Sequence, residues 1–234
     1  MVLFKRMIRR IFKKTGYDIV FFDCDSTLTD IEGIDELGKM KGVELEIKML
    51  TEKAMNGDIS FDEVLPARLE IIKPNLKDME RLTDLYVEHR IRDAQFVIKT
   101  LTDMGKKVFI ITGGYRQAIV GFARYLGIPE QNVCAVDLEF DSYGRYCGFK
   151  DNPLIKKYGK REILREKGKH GSTILVGDGA TDLEAKEVVD LFVGFGGVVK
   201  RPIVMENADF FIGFPTLLPI IPLVAGLSIT NFIN

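Results

Sequence analysis

Five short apolar runs punctuate the chain: "DIVFF" at 18–22, "KVFII" at 107–111, "STILV" at 172–176, "LFVGF" at 191–195 and "DFFI" at 209–212. They are continuously apolar, not alternating, which is the pattern of strands in a parallel sheet covered on both faces. Between several of them the apolar positions recur at helical spacing. Ala94, Val97, Ile98, Leu101 and Met104 form one stripe that Gly105 stops, and Ala118, Ile119, Phe122 and Leu126 form another before Gly127. Strand and helix alternating in this way predict an α/β fold built on a doubly wound, mostly parallel sheet.

Two stretches break the alternation. Residues 29–91 contain helical patterns such as "GIDELGKMKGV" and "VELEIKMLTEKAM" but no convincing strand, which predicts a helical cap inserted between the first and second strands. The expected division is therefore a discontinuous core, residues 1–28 and 92–234, and a cap, residues 29–91. Within the cap, "SFDEVLPARLEII" opens with a capping-box pattern, Ser60 to Glu63. A continuous helix there would put Arg68 on one face with Phe61, Val64, Leu65 and Ile72, but Pro66 predicts a kink or restart just before Arg68. Further on, "VDLEFDSYGRYCGF" (136–149) predicts a small β-hairpin turning at Tyr143-Gly144.

Length and charge narrow the partners. A chain of 234 residues suits one domain with an insertion. Its 33 Lys and Arg nearly balance 34 Asp and Glu, so no nucleic-acid partner is expected. Three cysteines without ligand spacing suit a reducing cytoplasm, the expected location, and two histidines support neither a zinc site nor a Ser-His-Asp triad. The start is basic, with Lys5, Arg6, Arg9, Arg10, Lys13 and Lys14 opposite Val2, Leu3, Met7, Ile8 and Ile11. That pattern fits a helix docked on its own domain, the expected arrangement, or residues 1–14 lying on a membrane surface. The uncharged end is broken by Pro215, Pro219 and Pro222 into pieces too short to span a membrane as one helix. Buried core followed by an apolar tail is expected there, with a homodimer contact as the other use of the tail.

The chemistry gathers at strand ends. In open α/β sheets, ligands collect at the carboxyl ends of the strands. The first run is followed by Asp23-Cys24-Asp25-Ser26-Thr27, the second by a glycine-rich turn, Thr112-Gly113-Gly114-Tyr115, and the third by "GDGATD", Gly177 to Asp182. Asp23, Asp25, Asp178 and Asp182 around one point would repel unless a hard cation sat among them, and oxygen ligands alone suggest Mg²⁺. The Thr112 hydroxyl and the glycine N–H groups suit phosphate oxygens. One carboxylate can attack phosphorus while its neighbour moves a proton. A lysine should complete the phosphate clamp; Lys160 fits best, with Lys156 and Lys157 close by. Alternation along the extended chain points Cys24 away from the acids, into the packing.

DCDST, ITGG, the Lys160 region and GDGATD, in that order, resemble the haloacid-dehalogenase superfamily of phosphatases. "EGIDEL" (32–37), "TEKAM" (51–55), "ARLEII" (67–72), "GDGATDLEA" (177–185) and "FVGFGG" (192–197) are similar to the members that act on L-phosphoserine, over residues 17–213. The resemblance implies an Mg²⁺-dependent phosphomonoesterase that hydrolyses L-phosphoserine, the last step of serine biosynthesis. It implies Asp23 as nucleophile, Asp25 as general acid and base with its carbonyl on the metal, and Asp178 as a metal ligand. It implies Thr112, Gly113 and Lys160 on the phosphate, and Thr181 and Asp182 supporting the loop and the lysine, with Thr181 near substrate. From the cap it implies Glu32 on the substrate ammonium, Arg68 on its carboxylate, and Met55 and Phe61 closing the pocket.

The rival readings are a relative acting on another small phosphate ester or passing phosphate to another alcohol, a phospho-accepting receiver domain, and a membrane-surface binding protein. An Asp-x-Asp pair followed at once by a helical cap speaks against the receiver.

Overall fold

A computed structural model describes residues 16–56 and 61–226, with side chains other than those of residues 52–62. The expectations for residues 1–14, for Ser60, for the side chains of Met55 and Phe61, and for the tail beyond Gly226 lie outside the described residues.

The first run forms β1 (Ile19–Phe22), every residue of it buried. Four helices follow before the next strand: α1 (Gly33–Lys41), α2 (Glu44–Asn56), α3 (Phe61–Ile72) and α4 (Leu76–Glu88). Each has local causes. Gly42 takes the left-handed conformation, φ 69°, that ends α1. Asn75 and Asp78 form a reciprocal capping box at the start of α4. Pro66 does not break α3, which runs unbroken from Phe61 to Ile72. Val64, Leu69 and Ile72 are buried on either side of the proline. Their packing outweighs the single backbone hydrogen bond that Pro66 cannot donate.

Then come α5 (Ala94–Asp103), β2 (Lys107–Tyr115), α6 (Arg116–Leu126) and β3 (Val133–Val136). The α5 stripe is buried at Ala94, Val97, Ile98 and Leu101, but Met104 lies past the last turn and is 39% exposed. The α6 stripe is buried throughout and Gly127, at φ 85°, closes the helix. β3, "VCAV", has no counterpart among the five apolar runs. The hairpin is β4 (Leu138–Phe140) and β5 (Tyr146–Phe149), antiparallel as expected. The remaining elements are α7 (Gly159–Lys167), β6 (Thr173–Gly177), α8 (Ala180–Glu184), β7 (Leu191–Phe195), α9 (Pro202–Asn207), β8 (Phe210–Ile212) and α10 (Ile220–Ala225).

The six-stranded sheet has the order β3-β2-β1-β6-β7-β8, and every neighbouring pair is parallel. From β1 the chain winds outward through β2 and β3, then returns to the other side of β1 for β6, β7 and β8. The order therefore reverses between β1 and β6, and a crevice opens beyond their carboxyl ends. Register sets what stands there. Phe22 pairs with Val176 and with Ile110, so Asp23 and Asp25, Thr112 and Asp178 all follow at one edge. No helix among the described residues is long and apolar enough to cross a membrane.

Candidate active site

Asp23 stands at the bottom of this crevice, 8% exposed. Its Oδ1 accepts the Cys24 N–H at 2.8 Å and its Oδ2 lies 2.8 Å from Lys160 Nζ. Cys24 itself is fully buried in the core. Lys160 comes from the start of α7, where Tyr158 holds a left-handed φ of 63° and turns the chain into the helix. The ammonium is buried and meets Asp182 Oδ1 at 2.6 Å as well. Burial alone would lower its pKa, but the Asp182 and Asp23 carboxylates more than offset that and hold it above the ordinary lysine range. Of the other two lysines, Lys156 pairs with Asp151 at 2.7 Å and Lys157 lies over the Tyr158 ring. The buried position belongs to Lys160.

Asp182 spends both oxygens. Oδ1 takes Lys160 and Oδ2 accepts the Gly179 N–H at 3.1 Å. Burial and the Asp23 charge push its carboxyl up and Lys160 pulls it back. Two donors on two oxygens keep it a carboxylate. Asp178 accepts Arg201 Nε at 3.0 Å on Oδ2 and the Thr27 hydroxyl at 3.4 Å on Oδ1. Oxygens of Asp23, Asp178 and Asp182 lie within 4.8 Å of one another, near enough for one divalent cation.

Asp25 is differently placed. Its Oδ1 accepts the Gly33 N–H at 2.9 Å and the Tyr86 hydroxyl at 2.8 Å. Burial first, then the charges of Glu32 and Asp23, push its pKa up to about 8. A carboxyl protonated near neutrality can donate a proton, and once ionised it can take one.

β2 does not stop at Ile111. It continues through Thr112, Gly113 and Gly114 to Tyr115, with a register irregularity against β3 between Ile111 and Tyr115. The expected turn is thus a bent strand end. Two residues without side chains let it bend, and nothing lies within 4 Å of where a Cβ on Gly113 would be. The buried Thr112 hydroxyl accepts the Gly114 N–H at 3.0 Å.

The inserted helices supply the opposite wall. A cavity of about 280 Å³ is lined on the sheet side by Asp23, Asp25, Thr112, Gly113 and Lys160, and on the helical side by Glu32 and Arg68. Asp178 and Thr181 also line it. Glu32 Oε1 accepts the Ser26 hydroxyl at 2.6 Å, which the left-handed φ of 52° at Ser26 turns toward it. Burial pushes the Glu32 pKa up to about 7 while the Ser26 hydrogen bond pulls against it. Arg68 donates from one terminal nitrogen to Thr51 Oγ1 at 2.6 Å. Its Nε is the one buried side-chain polar atom without a partner among the described residues. Such an orphan donor costs about 1–3 kcal/mol unless something in the cavity accepts from it.

Several lining or contacting groups have no counterpart among the candidate residues of the sequence, Arg201, Tyr115 and Tyr86 among them. Arg201, six residues past the end of β7, bonds Asp178 and comes within 3.9 Å of Glu32. Its position beyond a fourth strand end is the signal that could have found it. Tyr115 closes β2 and lines the cavity. Tyr86, on α4, touches Asp25 from across the fold.

The family profile of haloacid dehalogenase-like hydrolases matches residues 17–189. The phosphoserine phosphatase of Bos taurus is 39% identical over 199 residues, which cover 83% of this chain and 88% of that protein. That of Homo sapiens is 38% identical over 209 residues, covering 88% and 92%. Among solved structures, the phospho-aspartyl intermediate analogue of a phosphoserine phosphatase superposes with a TM-score of 0.74 at 28% identity, over 89% of this chain and 99% of the other.

Proposed function

The chain belongs to the phosphoserine phosphatase family of the haloacid dehalogenase-like hydrolases, and we propose that it hydrolyses L-phosphoserine to L-serine and phosphate through a phosphoryl group carried on Asp23. The observation that carries the substrate is the orphan Nε of Arg68. A guanidinium fixed by Thr51 and left with a buried, unmatched donor suits a carboxylate, and Glu32 across the same cavity suits an ammonium. A phosphate between Lys160, Thr112 and Gly113 would then lie against Asp23.

In the first step an Asp23 carboxylate oxygen attacks phosphorus, and the ester P–O bond breaks with its electron pair on the serine oxygen. Asp25 gives that oxygen its proton. In the second step water attacks phosphorus, Asp25 takes a proton from it, and the Asp23–phosphorus bond breaks to return the carboxylate. Lys160 and the Thr112 hydroxyl offset the charge on the phosphoryl oxygens. Asp182, on α8, holds Lys160, and Thr181 beside it supports the loop that carries Asp178.

The donor set fits Mg²⁺, since the buried acids offer oxygen only, with no histidine or cysteine among them. By the family resemblance Asp23, Asp178 and the Asp25 carbonyl would hold the ion, with Asp182 left to Lys160 and the Gly179 N–H. Bound there, magnesium would neutralise the acids and polarise the phosphoryl group.

Residues 29–91 would act as the cap that shuts water out of the first step. Paired chain crossings support that boundary. Thr29 bridges Arg90, Ile91 N–H donates to Leu28 O at 2.8 Å, and Asp30 N–H to His89 O at 2.9 Å.

The test is phosphate release from L-phosphoserine with Mg²⁺, beside sugar and glycolate phosphates, with Asp23→Asn and EDTA controls. A strong preference for L-phosphoserine that both controls abolish is expected. Turnover of other esters alone would keep Asp23 and discard the Glu32–Arg68 pocket.

A further inference from the structure

Among the described residues, Asp25 is held from one side only. Both of its donors, the Gly33 N–H and the Tyr86 O–H, converge on Oδ1. The other oxygen, Oδ2, faces Gly114 at the end of β2, 3.3 Å from where a Cβ on that glycine would stand. That is the side of Thr112 and of the cavity.

Tyr86 is built into this position. It is fully buried on α4, on one stripe with Met79 and Leu82. Its ring stacks on Phe122 of α6, with centroids 5.7 Å apart and planes at 24°. The absence of a side chain at residue 33 makes room for the phenol, because a Cβ on Gly33 would collide with the Tyr86 oxygen. A glycine on α1, a tyrosine on α4 and a phenylalanine on α6 thus bring one hydroxyl to one carboxylate oxygen.

We infer that Tyr86 is a positioning residue for the proton-transfer step, which with the Gly33 N–H fixes Asp25 so that Oδ2 alone gives and takes the proton. The inference rests on the reading of Asp25 as general acid and base. A carboxyl rotates readily about its last side-chain bond. Two donors on Oδ1 fill its lone pairs and leave no place for a proton there. The proton of the acid form therefore sits on Oδ2. It passes to the serine oxygen as the P–O bond breaks, and Oδ2 accepts a proton from water in the second step. With the phenol gone, the carboxyl turns more freely and fewer encounters have the donor oxygen aimed at the leaving group.

The test uses two small phosphate compounds that differ in what their leaving groups need. The serine alkoxide must be protonated as it leaves; the acetate of acetyl phosphate leaves without a proton. Tyr86→Phe keeps the ring on Phe122 and removes one oxygen. Expected for L-phosphoserine is a kcat lower by about tenfold, a fraction of what general acid catalysis as a whole contributes, with KM within about twofold of wild type. Phosphoryl transfer to Asp23 from acetyl phosphate in the first turnover, read by rapid quench, should stay within about threefold of wild type. Equal losses with both compounds would reduce Tyr86 to a structural residue and overturn the inference, as would an unchanged kcat on L-phosphoserine. A wild-type protein that turns over neither compound would instead sink the phosphatase reading beneath it.

Discussion

Lys160 Nζ lies 2.6 Å from Asp182 Oδ1, closer than its 2.8 Å to the proposed nucleophile Asp23. The ammonium is pinned by a carboxylate whose other oxygen is tied to the Gly179 N–H, so α7 and the loop after β6 are locked through one buried pair. Breaking a buried pair leaves an uncompensated charge. Lys160→Met should therefore lower kcat on L-phosphoserine by about 10²–10³, the usual loss for one removed electrostatic donor. Asp182→Asn should cost about tenfold by loosening the lysine. The double variant should be no worse than Lys160→Met alone, because Asp182 acts through Lys160. Additive losses in steady-state kinetics would place Asp182 in a separate role.

Glu32 and Arg68 should separate substrate recognition from phosphoryl transfer. A charge-assisted hydrogen bond to the substrate carboxylate contributes about 2 kcal/mol, roughly thirtyfold in affinity. Arg68→Met and Glu32→Gln should each raise KM for L-phosphoserine by about that factor with a smaller change in kcat. Turnover of acetyl phosphate, which has neither ammonium nor carboxylate, should barely respond. A loss shared by both compounds would mean that these side chains shape the cavity without recognising the amino acid.

The acid cluster makes stability depend on pH in a stated direction. Burial and neighbouring charges raise Asp25 from 3.8 to about 8, and burial raises Glu32 from 4.5 to about 7. Between the unfolded and folded values the folded protein binds more protons than the unfolded chain, so its stability falls as pH rises. The contribution is full below about pH 4 and gone above about pH 8. Without metal, the melting temperature should drop between pH 5 and 8. Magnesium binds only the folded site and should stabilise by about 2.7 kcal/mol at a hundred times its Kd. The gain should be larger at pH 8 than at pH 6, since protons compete for the acids. A metal-free melting temperature that rises over this range, or no response to Mg²⁺, would contradict the cluster.

What could be read from the sequence follows from where the cause lies. "IVFF", "ILVG" and "LFVGF" are buried on both faces, so their continuous apolarity is local and legible, and the acids after them mark the sheet edge. β3 is hidden because "VCAV" runs almost directly into the hairpin, from which only Asp137 separates it. The end of β2 reads as a turn because Gly113-Gly114 carries the composition of one; pairing of Tyr115 with Val136 keeps it in the sheet. Pro66 predicts a break in a helix that buried neighbours hold together. Tyr86 reads as one more core residue on an amphipathic helix, and its bond to Asp25 spans sixty-one positions, beyond any local pattern.

The two glycines of "GDG" differ in what they must leave open, and that difference can be measured. Gly177 ends β6 with the Asp182 side chain directly against it; a Cβ there would overlap the carboxylate that anchors Lys160. Gly179, two residues on, would bring a Cβ no closer than 3.4 Å to Asp182 Oδ2, an ordinary contact, and its N–H would stay in place. Both have negative or extended backbone angles as far as φ is concerned, so steric room alone separates them. Gly177→Ala must push Asp182 aside, at about 1–3 kcal/mol of overpacking. It should also lose activity at least as severely as Asp182→Asn, because the displaced carboxylate no longer holds the lysine. Gly179→Ala should keep kcat within about threefold of wild type and melt within a few degrees of it. Denaturant titration beside phosphate-release kinetics decides the matter. A Gly177→Ala variant as active and stable as Gly179→Ala would mean that the Asp182–Lys160 pair does not govern the site.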